Sequence, residues 1–129
     1  MSDELFFFNN KPELFPIYET VRDMIYADFD DVKVKVSKTQ IAFSNKYQFA
    51  FVSLPFRKIK GSPDSAILLT FGLGRKAEHL RIFMATEPYP GRWTHHVMIK
   101  SVEEVDTQVK EWISEAYHFT LTKRRYNAK

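Results

Sequence analysis

The stretch VKVKVSKTQIAFSNKYQFAFV, residues 32–52, determines the expected fold because its apolar side chains recur at every second position. Valines alternate with lysines over residues 32–36, and the alternation resumes at Ile41 and Phe43 after a short turn. Successive side chains of a β-strand point to opposite faces of a sheet, so this period predicts two strands with one apolar face each. The dipeptide Asn45-Lys46 is typical of a hairpin turn that leads into a third strand.

Four apolar runs predict the remaining strands, at residues 47–55, 66–74, 80–85 and 93–100. The runs at 47–55 and 66–74 are apolar on both faces, so these strands need cover on both sides of the sheet. Strands that short turns connect pair antiparallel. We therefore expect a meander of five to six antiparallel strands.

A helical pattern precedes the strands. Apolar residues recur at helical spacing over residues 14–25, and Asn10 with Glu13 resembles a capping box. Pro16 interrupts the pattern, so we expect the regular helix to begin there, after a looser turn.

A second helical pattern follows the strands. Ser101 and Glu104 form a capping box, and an apolar stripe occupies residues 105–117. The order of elements predicts one α+β domain over residues 1–129, in which the N-terminal and C-terminal helices pack on one face of the sheet. We expect residues 120–129 to be a frayed basic tail.

The composition excludes several classes of protein. Hydrophobic residues make up 44% of the 129 residues, which is too many for a disordered chain. The chain contains no cysteine, so disulfides and thiolate chemistry are excluded. The acidic start does not resemble a signal peptide, and no apolar run approaches the ~20 residues of a membrane span. We therefore expect a cytoplasmic protein that does not enter a membrane.

The charges are distributed unevenly along the chain. Residues 1–31 contain two basic and eight acidic residues, whereas residues 32–101 contain twelve basic and three acidic residues. Residues 102–129 are balanced at five of each sign. A basic middle between acidic ends favours an anionic partner at the middle. The alternative is a solvated basic surface that the acidic ends neutralise.

The adjacent histidines His95 and His96 invite the hypothesis of a metal or acid–base site. In a strand they point to opposite faces and cannot chelate one metal as a pair. We predict that His95 is a core histidine held by a hydrogen bond, whereas His96 is free to meet a ligand or is a plain surface residue. His79 and His118 lack ligand-like spacing to the pair. No metal, cofactor or catalytic residue is therefore assigned.

The strongest constellation is the sheet surface opposite the helices, where cations alternate with aromatic residues. If the valines face the helices, the lysines between them face outward, and inward-pointing Leu80, Ile82 and Met84 place Arg81 and Phe83 outward. One face of the third strand carries Tyr47, Phe49 and Phe51, and the pattern leaves open which face this is. The candidate ligand-binding residues are Lys33, Lys35, Lys46, Arg57, Lys58, Arg81, Arg92, His96 and Lys100.

Three segments carry a resemblance to a known family. LFFFNNKPELFPIYETVRDMI, VKVKVSKTQIAFSNKYQFAFVSLP and RWTHHVMIKSVEEVDTQVKEWISEAY resemble an uncharacterised bacterial domain, found alone or at the C-terminal end of longer proteins labelled predicted transport proteins. The resemblance implies no substrate and no catalytic residue. It implies that Trp93, His95, His96, Lys46 and Phe49 lie in recurring motifs. More weakly, the order of elements resembles small bacterial "double wing" domains with a suspected DNA-binding role.

These observations lead to three functional hypotheses. The first is a non-enzymatic module that binds an anionic partner, with nucleic acid ahead of small phosphorylated ligands, because single strands bind to aromatic platforms flanked by cations. The second is a protein-interaction domain or homodimer, in which the aromatic residues are core or a partner subunit covers the apolar sheet face. The third is an enzyme that uses His95 or His96 as general base.

Overall fold

A computed structural model describes residues 3–55 and 65–122 of the chain. In this part, six strands form one antiparallel sheet that three α-helices accompany. The helices are α1 (Asp3–Phe7), α2 (Phe15–Asp28) and α3 (Thr107–Thr120). The strands are β1 (Lys33–Val36), β2 (Ile41–Ser44), β3 (Gln48–Ser53), β4 (Ile67–Leu73), β5 (Ile82–Tyr89) and β6 (Arg92–Ile99). The predicted α+β class and the antiparallel sheet with helices at both ends are confirmed.

The strand order is β1-β2-β3-β4-β6-β5, which departs from the predicted meander. β6 lies between β4 and β5, and it pairs antiparallel with both. The connection of residues 74–81 is long enough to pass the position of β6, whereas a tight turn joins β5 to β6. Gly91 in that turn has a φ of 76°, which glycine adopts without steric cost.

One face of the sheet packs against the helices and forms the core. Tyr18 of α2 stacks on Phe43 of β2 with ring centroids 6.1 Å apart. Phe71 of β4 stacks on Trp112 of α3 at 5.5 Å, and both rings are buried. We call this side the helix-covered face. The side chains of Phe43, Ala50, Phe71, His95, Val97 and Ile99 define it.

The start of α2 agrees with part of the prediction. A 3₁₀ turn at Pro12–Leu14 precedes the helix, and Pro16 lies in its first turn. The capping box of Asn10 and Glu13 is wrong, because Lys11 occupies the N-cap position of the 3₁₀ turn and no side chain caps it. The N–H groups of the first helical turn have no partner within the helix, so a proline, which lacks an N–H, is tolerated there. This explains why α2 begins just before Pro16.

The predicted start of α3 is also wrong. Ser101 precedes only a short 3₁₀ turn and its side chain makes no cap. Glu104 Oε1 instead accepts a hydrogen bond of 2.9 Å from the backbone N–H of Lys100. The N-cap of α3 is Asp106, which accepts from the backbone N–H of Val109 at 3.2 Å. Glu104 therefore binds the backbone at the end of β6, and Asp106, two residues later, caps α3.

Candidate functional site

The sheet side away from α2 and α3, which we call the open face, carries cations and few acids. Its members follow from the register of the six strands: Lys33, Lys35, Ala42, Ser44, Gln48, Phe51, Ser53, Leu68, Thr70, Gly72, Met84, Thr86, Thr94, His96 and Met98. Glu87 is the only acidic residue within a strand in the described part of the chain. The described helices and their flanking turns hold most of the 16 acidic residues, so the two layers carry opposite charge.

His95 lies on the helix-covered face, as predicted. Its side chain is 0% exposed, and its Nε2 accepts a 2.9 Å hydrogen bond from the backbone N–H of Ala77. The ring stacks on Phe71 with centroids 5.3 Å apart. Burial lowers the pKa of His95, and the backbone of Phe71 partly opposes that shift. A neutral, enclosed imidazole of this kind cannot contact a dissolved ligand, so it supports the loop of residues 74–81 instead.

His96 lies on the open face, opposite Thr70 of β4 and Met84 of β5. Its Nδ1 is 3.0 Å from the hydroxyl of Thr70, and its ring is 6.3 Å from the ring of Phe83. The imidazole is half-buried, and this burial lowers the pKa of His96. Within residues 3–55 and 65–122, no group of three or more His, Asp or Glu residues is arranged to hold a metal ion.

Lys46 and Arg92, two of the candidate residues, come together at one end of the open face. Lys46 lies in the turn between β2 and β3, and Arg92 begins β6. Both line a shallow open depression of about 420 Å³, together with Ser44, Tyr47, Gln48 and Phe51. Neither cation forms an ion pair with a described residue, although the guanidinium of Arg92 lies 6.0 Å from the ring centroid of Tyr89. Two unneutralised charges therefore share one depression.

Lys33 and Lys35 lie on the open face, as predicted. Lys33 is directly opposite Ser44, a lining residue of the depression. Lys35 begins a transverse row of side chains that passes through His96 of β6 and reaches Met84 of the edge strand β5. Four strand spacings separate β1 from β6, which corresponds to about 19 Å. Both lysines are exposed and unpaired within the described residues, so the cations extend across most of the sheet.

Four other candidate cations either form ion pairs in the structure or lie outside its described residues. Arg81 was expected on the open face, but its guanidinium binds the Asp106 carboxylate at 3.1 Å and the Glu104 carbonyl at 2.8 Å. It therefore belongs to the start of α3. Lys100 lies at the opposite end of the sheet from Lys46 and pairs with Glu104 at 3.6 Å. The candidates Arg57 and Lys58 lie outside the described residues.

The predicted faces of β5 are wrong at two positions. Leu80 was expected to point inward but precedes the strand and is 102% exposed. Met84 was also expected inward, yet it pairs with His96 and is 50% exposed. An irregularity between Ile82 and Met84 inserts Phe83 into the ladder and shifts the alternation by one residue. Phe83 is exposed, as predicted.

A bulge in β3 separates the aromatic residues that were expected on one face. Ser44 pairs with Gln48 and Phe43 pairs with Ala50, so Phe49 is the extra residue. Phe49 is 1% exposed and packs edge-on against Tyr117 of α3 at 5.5 Å. Phe51 remains on the open face. The prediction that these aromatic residues belong to the core is therefore correct for Phe49. The alternative, that they meet a ligand, now concerns only Tyr47 and Phe51.

The bulge also opens a narrow gap beside the depression. Pairing between β3 and β4 begins only at Ala50 and Phe71, so Gly72 has no partner on β3. A cavity of about 40 Å³ occupies this gap. Its lining shares Gln48, Phe51 and Arg92 with the larger depression. The gap is large enough for about one water molecule.

Asn45 anchors the turn that carries Lys46. Its Nδ2 donates to the Thr120 hydroxyl at 3.0 Å and to the Tyr117 carbonyl at 3.3 Å. Its Oδ1 accepts from the backbone N–H of Tyr47 at 2.9 Å. Thr120, at the start of the predicted frayed tail of residues 120–129, ends α3 and is 2% exposed, and residues 123–129 lie outside the described part. The turn is thereby attached to the end of α3.

Two polar residues of the depression, Ser44 and Gln48, were not among the candidates. The alternation around Phe43 places Ser44 on the outward face, so this residue was detectable from the sequence. Gln48 was not, because the bulge beside it reverses the alternation. Together with Tyr47 and Phe51, the site therefore combines two cations, the hydroxyl of Ser44, the amide of Gln48 and two aromatic residues.

Residues 5–120 match the family described as Domain of unknown function (DUF5655), and the chain belongs to this family. Neither the curated proteins nor the solved structures include a match to the chain. In the described ranges 3–55 and 65–122, no helix has both the length and the apolar character needed to cross a bilayer.

Proposed function

We propose that this member of the DUF5655 family is a non-enzymatic module that binds single-stranded nucleic acid along the open face of its sheet. The observation that carries the proposal is the difference in charge pairing between the layers. Lys33, Lys35, Lys46 and Arg92 lack carboxylate partners among the described residues, and the strands that hold the open face contain one acid. Cations that the fold does not neutralise are available to phosphates.

The side chains between the cations support a single strand rather than a duplex. Phe51 lies centrally on β3, and Phe83 of β5 lies beside His96 of β6. Exposed aromatic rings stack on unpaired bases, and each stacked base contributes about 1–3 kcal/mol. A base in a duplex does not expose the surface that such stacking needs. A nucleic-acid strand running from β1 to β6 would meet the lysines of β1 first, then the ring of Phe51 on β3, and then Arg92 on β6.

The test measures the affinity for a labelled mixed-sequence single strand at several salt concentrations by fluorescence anisotropy. We expect the logarithm of the affinity to fall linearly with the logarithm of salt, with a slope of about −0.7 for each phosphate contacted. Lys33→Ala combined with Lys35→Ala should remove one to two phosphate contacts and make the slope shallower by about 0.7 for each of them. A slope near zero in the wild-type protein would refute the proposal.

A charge-matched control variant is available on the helix side. Arg75→Ala combined with Lys110→Ala removes the same charge, but both residues pair with acids of the helix layer, Glu115 at 2.8 Å and Asp28 at 3.6 Å. This variant should keep the slope and lose little affinity. Equal losses of affinity in the two variants would indicate that binding depends only on the net charge of the protein and not on the open face.

We further infer a bacterial, cytoplasmic setting, in which the domain occurs alone or at the C-terminal end of a larger transport protein. The sequence resemblance supports the origin and the domain context. The absence of cysteine from all 129 residues supports a reducing compartment.

Self-association through β5 is the second candidate function. Phe83, Met84 and Tyr89 are 40%, 50% and 64% exposed on this edge strand. Apolar side chains exposed at a sheet edge are a feature of subunit interfaces. Light scattering over a wide concentration range should then detect a dimer that Phe83→Ser weakens. A monomer at every concentration would exclude this candidate.

A further inference from the structure

We infer that the depression at the turn between β2 and β3 is an anchoring site for one nucleotide, with the phosphate between Lys46 and Arg92 and the base against Phe51. The inference rests on the proposed function and names the part of the open face that holds a ligand most firmly. The same chemistry fits a free nucleoside monophosphate and the terminal nucleotide of a strand. The experiment distinguishes these two sources.

The charges at the depression select for a phosphate. Lys46 is exposed at the tip of the turn, and Arg92 enters from the first position of β6. The described lining contains these two cations and no carboxylate. A phosphate dianion can accept the planar donors of a guanidinium in pairs, and an ammonium adds a second charge from another side. The hydroxyl of Ser44 offers a further donor.

The uncharged part of the lining suits a base. Phe51 presents a half-buried ring to the depression, and Gln48 lies beside it with an amide that can both donate and accept hydrogen bonds. A volume of about 420 Å³ lies in the range of small-ligand sites. The adjoining gap of about 40 Å³ is too small for a base, so the base must lie on the ring instead of entering between the strands.

The site is held by contacts that do not depend on the ligand. Asn45 ties the turn to the end of α3 through Thr120 and Tyr117. Arg92 pairs with Tyr89 in the ladder between β5 and β6. A site whose supports are already in place loses less freedom on binding. This separates the depression from the rest of the open face, where the lysines extend from an edge strand.

The experiment is a titration of the full chain with three separate probes: adenosine 5′-monophosphate, adenosine and inorganic phosphate. Amide NMR and calorimetry detect the binding. We expect the monophosphate to bind about tenfold more tightly than either other probe, with shift changes at Gln48 and Arg92. Phe51→Leu should reduce the affinity for the monophosphate about tenfold and leave that for inorganic phosphate unchanged. Arg92→Gln should reduce both.

Matched controls lie on the helix layer. Tyr26→Leu removes an exposed ring and Lys110→Gln removes an exposed cation, and neither should alter any of the affinities. If Phe51→Leu or Arg92→Gln fails to fold, the order of the three probes on the wild-type chain and the location of the shifts decide the question. Adenosine binding as tightly as the monophosphate, or shifts centred elsewhere, would overturn the inference.

A labelled single strand, with and without a terminal phosphate, separates the two sources and the two proposals. Tighter binding of the phosphorylated strand would support the terminal nucleotide as the occupant. Binding of the strand without any binding of the monophosphate would refute the anchoring site and leave the proposed function intact. Binding of the monophosphate without the strand would refute the proposed function and identify a free nucleotide as the occupant.

Discussion

The helix-covered layer and the open face of the sheet differ in what their cations do. On the helix side, Arg22 binds Glu4 of α1 at 3.0 Å, and Arg81 binds Asp106 at the start of α3 at 3.1 Å. Partly exposed ion pairs of this kind add little to stability, and each of them joins a helix end or helix to a neighbouring segment of the chain. Lys33, Lys35, Lys46 and Arg92 of the open face form no ion pair with a described residue. This difference supports the proposal of an external anionic partner.

The adjacent histidines show the same difference at the scale of two residues. His95 accepts a hydrogen bond from Ala77 and is completely enclosed, whereas His96 faces outward beside Thr70 and Phe83. One imidazole is part of the core and the other is part of a surface. The alternation of a strand is sufficient to separate them.

The largest expected effect compares a ring from each face. Phe71→Ala should lower the free energy of unfolding by about 3–5 kcal/mol, because the ring is enclosed between His95 and Trp112 and its loss leaves a cavity. Phe51→Ala on the open face should cost less than half as much, since that ring is already partly solvated. Urea denaturation measures both. Equal losses would mean that the open face is as tightly packed as the core.

Asn45→Ala should produce the next largest effect, about 1–3 kcal/mol of stability. The side chain joins the open-face turn to α3, and its removal leaves the Tyr47 N–H and the Thr120 hydroxyl without this partner. We also expect a weaker affinity for the monophosphate, because Lys46 loses its support. For stability, Asn45→Asp is the informative control, since it retains the acceptor for Tyr47. Calorimetric melting and the monophosphate titration give the two readouts.

The dependence of stability on pH gives the third comparison. Burial lowers the pKa values of His95 and His96 in the folded chain. Below the ordinary histidine pKa of about 6.5, the unfolded chain therefore binds protons that the folded chain does not. Stability should be fully present above about pH 6.5 and should fall as the pH decreases, with a slope of at most about 1.4 kcal/mol per pH unit for each group.

Substitution separates the two histidines in this pH series. His95→Gln retains an acceptor for the Ala77 N–H but cannot titrate, so it should reduce the fall in stability below about pH 6.5. His96→Gln should reduce this fall independently, because the two rings occupy opposite faces. Denaturation at several pH values provides the measurement. A wild-type curve that rises toward acid would contradict the direction of both shifts.

Much of the fold follows from alternation, and the errors occur where the alternation breaks. Lys33 and Lys35 on one side and His95 on the other were predictable, because β1 and β6 keep a regular period. Phe49 and Met84 were misplaced because bulges in β3 and β5 each add one residue. A bulge depends on how two strands pair, and neither strand carries that information alone.

The two cations of the candidate site were predictable from the sequence, but the assembly of the site was not. Lys46 and Arg92 were both among the candidate ligand-binding residues, yet their meeting requires β6 to pair with β4, which the expected meander did not contain. Arg81 was misassigned because the N-cap of α3 was placed at Ser101 instead of Asp106. Strand order and cap choice depend on tertiary contacts that local patterns do not specify.

The smallest expected effect is on stability when the open-face lysines are removed. Lys33→Gln combined with Lys35→Gln should change the free energy of unfolding by no more than about 0.5 kcal/mol, because both side chains are exposed and unpaired in the described chain. Arg81→Gln, the helix-side comparison, should cost more, since it removes two bonds to Asp106 and one to the Glu104 carbonyl. Urea denaturation measures both variants. A large loss for the lysine pair would mean that the fold uses these charges, and the case for an external anionic partner would lose its main support.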